Sequence, residues 1–141
     1  MAGYERSLYQ TYLHSIPMFA SCTTEQIDHL ANLGDSVTVP DGKAVVQEGD
    51  PGEDFFVVAS GKLRVSRGDR ELASLGVGDY FGELALFDPA PRNATVTAVG
   101  PTTLITLSRS AFTVALDEMP SLRDSLLHGM ARRIHELDQR V

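Results

Sequence analysis

Phe55-Phe56-Val57-Val58-Ala59-Ser60-Gly61-Lys62-Leu63-Arg64-Val65-Ser66-Arg67-Gly68-Asp69-Arg70-Glu71-Leu72-Ala73-Ser74-Leu75 decides the architecture of this 141-residue chain. Three strand-like runs, Phe55–Ala59, Leu63–Ser66 and Glu71–Leu75, follow one another with almost nothing between them. Ser60-Gly61 ends the first. Arg67-Gly68-Asp69-Arg70 is a tight hairpin signal between the second and third. Parallel strands need a crossover of a dozen or more residues, usually a helix, and these gaps are too short to hold one. The sheet is therefore antiparallel.

The same pattern extends in both directions. Upstream, Ser36-Val37-Thr38-Val39 alternates and Ala44-Val45-Val46-Gln47 follows. Pro40-Asp41-Gly42 and Glu48-Gly49-Asp50-Pro51-Gly52 read as turns. Downstream, Gly76-Val77-Gly78-Asp79 turns into the stretch 81–96. Thr95–Val99 and Thr102–Leu107 come next, separated by Gly100-Pro101. Short strands at even spacing, each punctuated by Gly or Pro, predict a mainly β member of the α+β class, an antiparallel β-roll or jelly roll of about eight strands.

The flanks are helical. Tyr4, Leu8, Tyr12 and Ile16 recur every fourth position, which predicts a helix over 4–16, and Pro17 interrupts it. Thr23-Thr24-Glu25-Gln26 carries the capping-box pattern, with Ile27, Leu30 and Leu33 as the buried stripe and Gly34 as the stop. After the last strand, Phe112, Ala115, Leu116 and Met119 mark a helix over 109–118, and Pro120 breaks it. A longer helix is expected over 121–140, with Leu122, Leu126, Met130, Ile134 and Leu137 as a narrow stripe at near-heptad spacing. That stripe fits packing on the sheet and equally fits pairing with a second copy. The two uses can share the helix. The chain thus divides into N-terminal helices (1–34), a β-roll (35–108) and C-terminal helices (109–141), together one domain.

Composition narrows the function. The net charge is -7 and the pI about 4.9. Phosphate backbones and anionic membranes both select clustered Lys and Arg, so neither nucleic acid nor membrane is expected as a partner of this chain. One cysteine, Cys22, excludes an intrachain disulfide and points to a reducing compartment. The N-terminus lacks signal-peptide order, and no apolar run approaches the ~20 residues of a membrane span. A cytoplasmic protein is the expectation.

The chemistry concentrates in Phe81-Gly82-Glu83-Leu84-Ala85-Leu86-Phe87-Asp88-Pro89-Ala90-Pro91-Arg92-Asn93-Ala94-Thr95-Val96. Gly82 permits a close backbone turn. The first amides of a turn over Glu83–Leu86 lack internal partners and suit an anion. Arg92 offers a planar fork for two phosphate oxygens. Glu83 suits a sugar hydroxyl, or holds Arg92 in place. Taken alone, the pair is more simply explained by a salt bridge that closes a loop. The four histidines, His14, His29, His128 and His135, all fall in predicted helices. A metal-dependent jelly-roll enzyme of the cupin type would need several of them inside the barrel. No metal ligands and no catalytic residues are expected, and the chain is read as a non-enzyme.

Taken whole, residues 81–96 resemble the phosphate-binding cassette of cyclic-nucleotide-binding domains, the family found in the protein kinase A regulatory subunit, cyclic-nucleotide-gated channels and the catabolite activators. Phe81–Leu86 and Arg92–Val96 match that cassette at nearly every position. Glu48-Gly49-Asp50, Ser60-Gly61 and Gly78-Asp79 match further family motifs, and Met130-Ala131-Arg132-Arg133 resembles the start of the bacterial C-terminal helix. The resemblance implies a regulatory sensor with no cofactor and a ligand held by Phe81, Gly82, Glu83, Leu84, Ala85, Arg92, Asn93 and Ala94. Glu83 would bind the ribose 2′-hydroxyl and Arg92 the exocyclic phosphate oxygens, with backbone amides near Leu84, Ala85 and Asn93–Ala94 assisting. Val65, Leu72 and Leu75 would wall the purine, and Leu137 and Asp138 would meet it from the last helix. Asn93 departs from the Ala frequent in cAMP binders and the Thr of eukaryotic cGMP binders. The expected ligand is cAMP, with cGMP as the second candidate. The expected partners are a second copy through residues 121–141 and an output domain or protein beyond this chain. A domain of the same fold that has lost its ligand is the remaining alternative.

Overall fold

The computed structural model describes residues 3–138, with side chains from Arg6 onward. Two compact units are present: residues 34–109, which are β, and residues 3–33 with 110–138, which are helical.

The β unit contains ten strand segments among the described residues, β1 (Asp35–Val39), β2 (Ala44–Val46), β3 (Pro51–Gly52), β4 (Phe55–Ser60), β5 (Leu63–Arg67), β6 (Arg70–Leu75), β7 (Tyr80–Phe81), β8 (Ala90–Pro91), β9 (Thr95–Ala98) and β10 (Thr102–Leu107). One sheet has the order β1-β10-β4-β7 and the other β2-β9-β5-β6, while β3 and β8 pair only with each other. All pairings are antiparallel. The hairpin expected at Arg67–Arg70 forms, with Leu63 opposite Leu75 and Arg67 opposite Arg70.

The number of strands exceeds the expected eight because β3 and β8 lie in stretches that read as turn and loop. A two-residue ladder leaves no periodicity to detect. Pro51 sits opposite Pro91, and neither has an N–H to carry the ladder further.

Burial follows position in the sheets. β4 lies between β10 and β7, and Phe55, Phe56, Val57 and Val58 are all buried. β6 is an edge strand, and Arg70–Ser74 are exposed. Phe56, Val58 and Leu104 of one sheet and Leu63, Val96 and Ala98 of the other form a single core cluster.

The helical unit comprises α1 (Gly3–Ser15), a 3-10 turn (Pro17–Phe19), α2 (Thr24–Asn32), α3 (Arg109–Glu118, from Ser110 on) and α4 (Ser121–Asp138). In α1 the fully buried residues are Tyr9 and Leu13, one position on from the expected Leu8 and Tyr12, while Ile16 of the expected stripe is buried just past the end of the helix. Leu8 and Tyr12 are half-buried at the border of the buried face, and the side chain of Tyr4 lies outside the described ones. Tyr12 carries a polar tip that favours a boundary position. Burial raises the Tyr9 phenol well above its ordinary value and pushes the Cys22 thiol up to about 11, so both stay neutral near pH 7.

The capping box of α2 forms as expected. Thr23 Oγ1 accepts from Gln26 N at 3.1 Å, and Gln26 Oε1 accepts from Thr23 N at 2.9 Å. Gln26 Nε2 then donates to Ser121 Oγ at 3.1 Å, tying α2 to the start of α4. His29 lies 3.2 Å from Glu118, and Arg6 pairs with Asp28.

The apolar stripe of α4 is divided. Leu122, Leu126 and Gly129 are buried, and the helix packs on the 3-10 turn at Pro17–Phe19. Beyond Gly129 the character reverses, with Ile134 60% and Leu137 45% exposed. Residues 139–141 lie outside the described residues. Among the described residues, no helix is long and apolar enough to cross a membrane.

Candidate functional site

Arg92 is fixed by its backbone before its side chain is considered. Its N–H donates to the Asp50 carbonyl at 2.7 Å, and its own carbonyl accepts from Gly49 N at 2.7 Å. With the β3–β8 pairing, these bonds clip the return of the cassette to the turn Glu48–Gly52. This is the structural use of Glu48-Gly49-Asp50.

The guanidinium is then enclosed on several sides. Nη2 donates to the Asp54 carbonyl at 2.7 Å. The Cζ atom stands 5.8 Å from the ring centroid of Phe56, within cation–π range. Phe56 in turn stacks on Phe81 at 4.8 Å with the rings 17° apart, as the β4–β7 register requires. Two glycines leave the room. A Cβ on Gly82 would lie 2.6 Å from Arg92 Nη1 and 2.8 Å from the Asp54 carbonyl, and Gly82 has φ +83°, a conformation suited to glycine. A Cβ on Gly52 would lie 2.8 Å from Arg92 Nε.

No carboxylate completes this arrangement. Among the described residues Arg92 makes no ion pair, with Glu83 or any other acid. The salt bridge that would have closed the loop by itself is thus absent. Arg92 Nε is buried with no hydrogen-bond partner. Desolvation lowers the guanidinium below its ordinary pKa, and the nearby Asp54 charge opposes that shift. A half-buried cation that meets only a carbonyl and an aromatic face is short of one anion.

A cavity of about 250 Å³ opens beside it. Val46, Val65 and Val96 line it from the β-roll. Phe81, Gly82, Leu84, Ala85, Arg92, Asn93 and Ala94 line it from the cassette, with Asp88, Ala90 and Pro91 from the intervening loop. Seven of the eight expected cassette residues therefore meet at one opening. Glu83, the eighth, is half-buried at the start of the 3-10 turn Glu83–Leu86 and is not among the lining residues. The Ala85 amide already donates to the Gly82 carbonyl at 3.1 Å. Of the residues expected around a purine, Val65 lines the cavity. Leu75 packs on the core cluster and Leu72 is 42% exposed on β6. Leu137 and Asp138 are exposed on the last turn of α4. His14, His128 and His135 are exposed, and no group of three His, Cys, Asp or Glu among the described residues could hold a metal ion.

The family model described as the cyclic nucleotide-binding domain matches residues 36–119. The chain belongs to this family. Among relatives of this cyclic nucleotide-binding domain, a cAMP-dependent protein kinase regulatory subunit from Hypocrea atroviridis is 31% identical over 134 residues. The match covers 94% of this chain and 29% of that protein. The cyclic AMP receptor protein of Thermus thermophilus is 34% identical over 127 residues, 86% of this chain and 59% of the relative. The chain thus spans less than two thirds of either protein. Among solved structures, the N-terminal domain of a transcriptional regulator from Streptomyces coelicolor A3(2) superposes with a TM-score of 0.83 at 34% identity, over 92% of this chain and 94% of that one.

Several residues of this cyclic nucleotide-binding domain escaped the sequence reading. Val46 and Val96 were legible as strand residues but not as cavity walls. Phe56 read only as a strand residue, and its register with Phe81 reveals the face it turns to Arg92. Gly52 read as a turn residue, whereas its lack of a Cβ is what admits the Arg92 side chain. Replacing Gly52 by Ala would drive a Cβ against both the Ala90 carbonyl, at 2.7 Å, and Arg92 Nε. We expect Gly52→Ala to lower stability by about 1–3 kcal/mol. Urea unfolding should show a reduced midpoint at unchanged slope. An unaltered midpoint would show that this contact does not constrain the arginine.

Proposed function

We propose that this domain is a sensor of cAMP. The observation that carries the reading is the Arg92 guanidinium, half-buried beside the cavity without a carboxylate partner. A cyclic phosphodiester supplies one negative charge and two exocyclic oxygens, which suits a single arginine better than a dianion would. In this reading Arg92 binds the phosphate, the amides near Leu84 and Asn93–Ala94 add donors, and Glu83 accepts from the ribose 2′-hydroxyl. Val65 and the rim of the cavity pack against the purine. The names of the relatives, a cAMP-dependent kinase regulatory subunit and a cyclic AMP receptor protein, favour cAMP over cGMP. They also favour regulation over catalysis.

Occupancy would be relayed through α4. Leu127, Ile134 and Leu137 are 65%, 60% and 45% exposed and lie seven and three residues apart, the spacing of a helix–helix seam. We assign this face to a second copy of the chain, with an output domain or protein downstream.

Titration calorimetry tests the ligand. We expect saturable binding of cAMP, weaker binding of cGMP, and a loss of more than about 2 kcal/mol in cAMP affinity for Arg92→Ala. No heat from either nucleotide at submillimolar concentration would remove the reading. Sedimentation equilibrium tests the partner. A dimer that Ile134→Glu converts to monomer is expected, whereas a wild-type monomer with and without cAMP would exclude pairing through α4.

A further inference from the structure

Arg67 stands at the end of β5, exposed, and does not line the cavity. Its Nε nevertheless reaches across to the cassette and donates to the Asn93 carbonyl at 2.8 Å. The adjoining turn is tied down as well. Gly68 N donates to Glu48 Oε1 at 3.2 Å, and Glu48 N donates to Thr95 Oγ1 at 3.0 Å. The end of this hairpin is therefore stapled to the segment that follows Arg92.

The bond to Asn93 has a consequence through one peptide plane. In a planar trans peptide the carbonyl of one residue and the N–H of the next point in opposite directions. With the Asn93 carbonyl turned out to Arg67, the Ala94 N–H points away from Arg67, and Ala94 itself lines the cavity. Ala94 is buried, and among the described residues its N–H has no hydrogen-bond partner. A buried, unpaired backbone donor is costly unless a ligand or water satisfies it.

We propose that Arg67 is a positioning residue that aims the Ala94 N–H at the nucleotide phosphate without touching the ligand itself. This rests on the reading of the cavity as a cyclic-nucleotide site. Loss of Arg67 frees the 93–94 peptide to rotate, so the donor is no longer held in place before binding. An exposed arginine adds little to the fold, so its removal should act on affinity rather than on folding.

The test compares the wild type with Arg67→Leu and Arg67→Lys by cAMP titration, with the urea midpoint as a control on folding. We expect Arg67→Leu to bind about tenfold more weakly at an unchanged midpoint, and Arg67→Lys to fall between. The loss should persist at about 0.5 M salt, where an effect of charge at a distance would be screened away. In the wild type, cAMP should move the Ala94 amide proton resonance downfield, and in Arg67→Leu this shift should shrink. If the wild type binds cAMP and Arg67→Leu binds equally well, the positioning role is overturned and the site stands. The same conclusion follows if the loss disappears at high salt. A wild type that binds no nucleotide overturns both.

Discussion

A cation taken partly out of water without an ion-paired carboxylate is the constraint around which this β unit is arranged. Arg92 cannot shed its proton to relieve the cost, so the protein must supply compensating dipoles. It supplies the Asp54 carbonyl and the face of Phe56, and leaves Nε unpaired. Neither compensating group carries a formal charge. An acid in the same place would have given a tighter resting state and a poorer receptor, because an incoming anion would then have to displace a carboxylate.

The features around Arg92 make sense as consequences. β3 and β8 are too short to add much to the sheet, but they fix the height at which the arginine leaves the backbone. Gly52 and Gly82 withhold the two Cβ atoms that would collide with its head. β4 serves both purposes at once. Val58 belongs to the core, Phe56 faces both the core cluster and the guanidinium, and Asp54 just before the strand offers its carbonyl. A site anchored on a buried central strand is held by the packing of the whole roll, which is how a small cavity keeps its geometry without a ligand.

Much of this was legible from residue types alone, and the limits were physical. The hairpin at Arg67–Arg70, the capping box at Thr23 and Gln26, and the cassette itself each carry a local signature, because a few adjacent residues determine the conformation. The β3–β8 pairing has no such signature. It joins Pro51–Gly52 to Ala90–Pro91, some forty residues away, through a ladder two residues long. The face of α1 was misjudged by one residue because apolar side chains occupy both adjacent stripes, and only packing decides between them. The near-heptad stripe of α4 was open to both docking and pairing, with the two uses able to share the helix. Its first half docks within the helical unit and its second half is exposed, and burial, not spacing, fixes the boundary near Gly129. The choice between a loop-closing salt bridge and an anion site was likewise undecidable from Glu83 and Arg92 as a pair. It turned on where the guanidinium points, and that is toward Asp54 and Phe56.

The most direct measurement follows the Arg92 Nε–H resonance in arginine-labelled protein as cAMP is added. The account has this proton buried and unpaired before binding and hydrogen-bonded to a phosphate oxygen afterwards. It should move downfield and become protected from solvent exchange in proportion to occupancy. A resonance that stays in place while the nucleotide binds would contradict the account, since the phosphate would then be held by something other than Arg92.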